Sequence, residues 1–95
     1  NERCVELRQE ALGARRALQG DDHPATVRAA AALARTTALV GRHEDAVALQ
    51  RANLALVERA LGPDEALTLE QRAALGVVLL AAGRTDAARA ELDAA

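Results

Sequence analysis

Gly41-Arg42-His43-Glu44-Asp45-Ala46 returns forty-two residues later as Gly83-Arg84-Thr85-Asp86-Ala87-Ala88, and this recurrence decides the architecture. The same offset pairs Gly20 with Gly62, Asp22 with Asp64, Thr26 with Thr68, and Ala31-Ala32-Leu33 with Ala73-Ala74-Leu75. It also pairs Glu2, Val5, Leu7 and Leu12 with Glu44, Val47, Leu49 and Leu54. The opening segment therefore reads as the back half of one more unit. A period of about 20–50 residues marks a solenoid, in which a unit buries its apolar face only by stacking on its neighbours. The expected organisation is one repeat domain over 1–95. Residues 1–19 form the second helix of a partial repeat, 20–61 a full repeat, and 62–95 a C-terminally truncated one.

The helical period supports this division. Cys4, Val5, Leu7, Ala11, Leu12 and Leu18 recur at spacings near three and four from Glu2 to about Leu18, which predicts an amphipathic helix. Gly20 is placed to end it, and Pro24 suits the first turn of the next, with Asp22 or His23 as N-cap. The second helix is expected from Pro24 to Val40, the third from Glu44 to Leu61 and the fourth from Ala66 to Ala82. The fourth is apolar nearly all round, so it is expected to be sandwiched by neighbours or to present a face that wants one. A fifth, weakly anchored helix is expected from Thr85 to about Asp93. The fold class is all-α, an α-solenoid of antiparallel helix pairs with about five helices.

Composition narrows function. The 95 residues contain no Phe, Trp, Tyr, Met, Ile, Ser or Lys, so the core must be Leu, Val and Ala. All 12 basic residues are Arg, a narrow usage that suggests a GC-rich genome. A formal charge of −2 with both signs interspersed gives no electrostatic footprint for nucleic acid or a membrane surface. No apolar run approaches the eighteen or so residues of a membrane span, and a single cysteine forms no internal disulfide.

Candidate chemistry is sparse. Cys4 aligns with Ala46 and Ala88, small positions between helices, so a buried and inert thiol is expected. His23 and His43 stand in different turns without a third ligand nearby, and are expected as solvated turn residues rather than metal ligands. Glu44-Asp45, Asp64-Glu65 and Asp86 fall at helix starts, where the macrodipole accounts for them. The absence of Ser excludes serine catalysis, and no glycine-rich loop joins a strand to a helix. Neither an enzyme nor a cofactor is called for. Asn53 is expected to be buried against a turn carbonyl, or else to face a ligand.

Laid out in this way, the chain resembles the tetratricopeptide repeat family, in particular the forty-two-residue unit of kinesin light chains and many bacterial regulatory proteins. The resemblance rests on Leu33-Ala34 and Leu75-Gly76, on the turns at Gly41 and Gly83, and on Ala46 and Ala88. Gly20-Asp21-Asp22-His23-Pro24-Ala25-Thr26 is similar to the family's linker. The chain departs from the pattern at Thr37, Leu79, His43 and Thr85, where aromatics are usual. It also departs at Asn53, where a small residue is usual, and at Gln50, where a large apolar one is.

The resemblance implies a right-handed superhelix whose first helices line a concave face. Its lining would be Arg28, Ala31, Arg35, Ala38 and Leu39, then Glu70, Ala73, Val77, Leu80 and Ala81. This would give two guanidiniums at one end and an aliphatic patch at the other. The same pattern fits two solvated arginines beside packing surface for a further repeat. The lysine and asparagine clamp by which some relatives grip a C-terminal carboxylate is absent, since Ala31, Ala32 and Arg35 occupy that stretch. The expected function is a non-enzymatic module of a cytoplasmic bacterial protein that binds a protein or peptide on this face. The alternatives are a structural spacer or homo-oligomerising element acting through exposed repeat ends, and a small-molecule sensor.

Overall fold

The computed structural model describes residues 2–84 and 91. Four helices follow in order: α1 (Glu2–Gln19), α2 (Pro24–Leu39), α3 (His43–Leu61) and α4 (Ala66–Ala81). No strand occurs among the described residues. The fifth helix expected from Thr85 to Asp93 falls, apart from residue 91, outside the described residues.

Glycine sets the lengths of the helices. Gly20, Gly41, Gly62 and Gly83, each 21 residues after the last, are the four residues described with positive φ, between 78° and 94°. An L side chain in that region meets its own backbone, so each position stops a helix where the chain must turn. Gly41 joins α2 to α3 and has nothing within 4 Å of a would-be Cβ. Gly41→Ala is therefore expected to cost about 1–2 kcal/mol through backbone strain alone. Urea unfolding followed by helical circular dichroism would measure it, and no loss of stability would contradict the assignment.

The helix starts are built locally. His23 is the N-cap of α2: its extended backbone (φ −66°, ψ 138°) lets Nδ1 accept the Ala25 N–H at 3.0 Å, and Pro24 follows. The imidazole thus does what Asp or Ser does at most caps. Buried threonines close the linkers. Thr68 Oγ1 donates to the Gly62 carbonyl at 2.7 Å, while its counterpart Thr26 reaches back to the Arg15 carbonyl at 3.4 Å.

Packing follows connectivity. α2 lies against α1, α3 and α4, and α3 against α2 and α4, whereas α1 packs on α2 alone. The result is a slab with Cα extents of 36 × 32 × 14 Å. Its thin dimension is that of two helices at the usual 8–10 Å separation, each adding a backbone radius of about 2.3 Å. The main core cluster joins Ala34 and Ala38 of α2, Ala46, Val47 and Leu54 of α3, and Leu75, Val78 and Leu79 of α4. Alanines on α2 and α3 permit close approach, and leucines of α4 fill the space behind them. Together these features make an all-α solenoid.

The period is also written in ions. Arg42 contacts Glu2 at 3.5 Å, and Arg84, forty-two residues on, contacts Glu44, the residue equivalent to Glu2. Arg72 binds Glu58 at 2.6 Å and Glu91 at 3.4 Å, with all three side chains largely shielded.

Two sequence-based expectations are corrected here. Cys4 is exposed rather than buried; its equivalent Ala46 is fully buried because α3 is flanked by both α2 and α4, whereas α1 has α2 alone. His43 is not a solvated turn residue: it opens α3, and its Nδ1 is buried with no hydrogen-bond partner among the described residues. Of the two forms expected for α4, the structure shows the second: it packs on α2 and α3 and leaves Val77 and Leu80 about half exposed.

Candidate functional site

α2 and α4 occupy equivalent places in successive units and pack against each other, and the groove between them is the candidate site. An open cleft of about 410 Å³ is lined by Arg28, Ala31 and Arg35 from α2 and by Glu70, Gln71, Ala73, Ala74 and Val77 from α4. The helical period explains the grouping. Positions 28, 31 and 35 lie on one face of α2, and 70, 73 and 77, forty-two residues later, lie on the matching face of α4. Small residues at 31, 73 and 74 leave the groove open rather than filled.

Six of the ten residues anticipated for this face therefore line one cleft. The other four divide. Leu39, 78% exposed at the end of α2, Leu80 and Ala81 are open to solvent outside the cleft lining. Ala38 is withdrawn from the surface: it is 5% exposed and belongs to the core. Its equivalent on α4 is Leu80, which is exposed. α4 covers Ala38, and no described helix covers Leu80 in the same way.

The electrostatics differ from two equivalent free guanidiniums. Arg28 Nε donates to Glu70 Oε1 at 3.0 Å and Nη2 to Glu70 Oε2 at 3.2 Å. This two-pronged pair holds planar fork against carboxylate. The hydrogen bonds to Glu70, then its charge, raise the Arg28 guanidinium further above its ordinary value. Arg35 makes no ion pair among the described residues and is exposed. The cleft thus carries one neutralised arginine, one uncompensated arginine, and an apolar wall in which Ala31, Ala74, Val77 and Val78 adjoin Arg35.

Below the cleft lies a polar cluster. Gln50, Asn53 and Gln71 are buried where α2, α3 and α4 meet. Asn53 Nδ2 donates to the Val27 carbonyl and to Gln71 Oε1, both at 3.1 Å. Gln50 Nε2 donates to the Gln71 carbonyl at 3.0 Å and to Gln71 Oε1 at 3.1 Å. With its oxygen taking two donors, Gln71 is left with Nε2 buried and without a partner among the described residues. An unmet donor in a fully buried side chain is costly to stability.

Asn53 is buried and has the partners its burial calls for, the Val27 carbonyl in the first turn of α2 and Gln71 Oε1. Sequence reasoning missed Gln71, whose only signal was a polar residue within the most apolar helix. It also missed the Arg28–Glu70 pair, which was accessible: opposite charges one period apart on touching helices must meet.

With this geometry in view, comparison with known families becomes decisive. The family profile described as the tetratricopeptide repeat matches residues 26–66, the span from the first turn of α2 through α3 to the start of α4. Residues 26–66 are a tetratricopeptide repeat. No curated protein and no solved structure matches the chain significantly. Tetratricopeptide repeats generally mediate contacts between proteins and are a non-catalytic module. Among the described residues no group of three His, Cys, Asp or Glu side chains is arranged to hold a metal ion, and no helix is long and apolar enough to cross a membrane.

Proposed function

We propose that this tetratricopeptide repeat segment is a non-enzymatic module that holds an extended peptide of a partner protein along the α2–α4 face. The observation that carries this reading is the uncompensated Arg35 beside an apolar wall in a preformed cleft. Arg35 pairs with a carboxylate of the partner, while Val77, and beyond it Leu80 and Leu39, take aliphatic side chains. Ala31 and Ala73 allow the peptide backbone to lie close to the helices.

The test uses a capped, dye-labelled peptide with one glutamate next to two leucines, and measures fluorescence anisotropy. Arg35→Glu turns attraction into repulsion at an exposed site and is expected to weaken binding roughly fivefold or more, with a smaller difference at high salt. An unchanged affinity would overturn the proposal.

A second reading, self-association through open helix faces, is favoured by the exposed Leu18 and Leu7 of α1, which packs against α2 alone. Light scattering over a concentration series separates the two: a constant monomer mass excludes self-association, and a mass that grows with concentration supports it.

A further inference from the structure

Arg28 and Glu70 occupy the same position in successive repeats, on helices that touch, and their side chains meet in a two-pronged ion pair inside the cleft. Glu70 thus sits where a carboxylate of a bound peptide would sit on Arg28. Arg35, one helical heptad further along α2, has no such internal partner among the described residues. We propose that Glu70 is a specificity-determining residue which occupies Arg28 as an internal acidic ligand and leaves the cleft a single subsite for a peptide carboxylate, on Arg35. This inference rests on the peptide-binding reading above.

The reasoning is electrostatic. Two guanidiniums and one carboxylate leave the cleft with a single net positive charge. A peptide with one acidic side chain meets Arg35 without disturbing anything. A peptide with two gains nothing from the second unless it displaces Glu70, and the displaced carboxylate then stays within the same cleft as a like charge. The usual effect of mutating a lining residue is therefore inverted at position 70, where removing the charge opens a second acidic subsite at Arg28. Gln71, the neighbouring residue in α4, is neutral and does not alter this charge balance.

Three capped peptides, identical except for one glutamate, two glutamates or glutamine alone beside the leucine pair, serve as probes. Wild type is expected to bind the one-glutamate and two-glutamate peptides about equally, and both better than the glutamine peptide. Glu70→Gln is expected to strengthen binding of the two-glutamate peptide by about two- to fivefold relative to the one-glutamate peptide, the range of an exposed ion pair. Glu10→Gln removes the same charge from an exposed site on α1 and is expected to leave that ratio alone. Arg28→Gln added to Glu70→Gln should abolish the gain.

An unchanged ratio in Glu70→Gln, or an equal gain in Glu10→Gln, would overturn the inference. The peptide-binding reading would still stand if Arg35→Glu loses affinity. If wild type binds none of the peptides, both fall together.

Discussion

Leu79→Ala is expected to remove about 2–5 kcal/mol of folding stability, enough to leave much of the population unfolded in a domain whose total is of the order of 5–15 kcal/mol. Leu79 is fully buried, at the centre of the cluster where α2, α3 and α4 converge. Three other members of that cluster are small. Ala34, Ala38 and Ala46 have no long side chains with which to collapse into the space vacated, so the cavity persists. In a core without any aromatic residue, one leucine carries a large share of the apolar burial. Leu79→Met, which nearly conserves volume, should cost less than about 1.5 kcal/mol. Urea unfolding of both variants checks the pair: a fall in midpoint with unchanged slope is expected for alanine, and a loss below about 1 kcal/mol there would contradict this account of the core.

Asn53→Leu is the second large effect, expected to cost about 1–3 kcal/mol although leucine is apolar and similar in size. Asn53 Nδ2 serves the Val27 carbonyl and Gln71 Oε1, both out of reach of water. Leucine removes the donor and leaves Gln71 supported by Gln50 alone. The cluster should then behave as a unit. Gln50→Leu, Asn53→Leu and Gln71→Leu together leave no orphaned side-chain amide, so the triple variant is expected to be less destabilised than the sum of the three single changes. Strict additivity would mean that the hydrogen bonds contribute little and that shape alone governs this junction.

The fold was legible in the chain for a definable reason. Solenoid structure is local, each helix meeting its sequence neighbours, so a forty-two-residue recurrence of glycine, alanine and leucine contains most of the architecture. Helix ends fell within about one residue of expectation because Gly20, Gly41 and Gly62 impose a backbone conformation that other residues resist. Burial was less legible, because it depends on what lies against a residue as well as on its own character. Cys4 and Ala46 are equivalent by period, yet one is exposed and the other fully buried. Ala38 and Leu80 differ in the same way. Thr37 and Leu79 show that one place in successive repeats can be filled by unrelated chemistry: Thr37 is buried with its hydroxyl donating to the Leu33 carbonyl at 2.7 Å, while Leu79 fills the cluster by volume.

For the cleft, the period placed the lining correctly on two helix faces but not its charge state. Whether Arg28 is available to a ligand depends on the rotamers that bring it to Glu70, and on Arg35 having Val77 rather than an acid opposite it one period later. Gln71 could not be assigned to the core from pattern alone, since a glutamine at a helix surface and one reaching into a buried junction look alike in sequence.

The measurement that bears most directly on the central claim is an amide chemical-shift titration of the labelled chain with the one-glutamate peptide. The account predicts saturable shifts concentrated in residues 28–39 and 70–81, with those around Arg35 and Val77 among the largest and all of them weakened in Arg35→Glu. Shifts confined to α1 and the outward side of α3, or unchanged in Arg35→Glu, would contradict it.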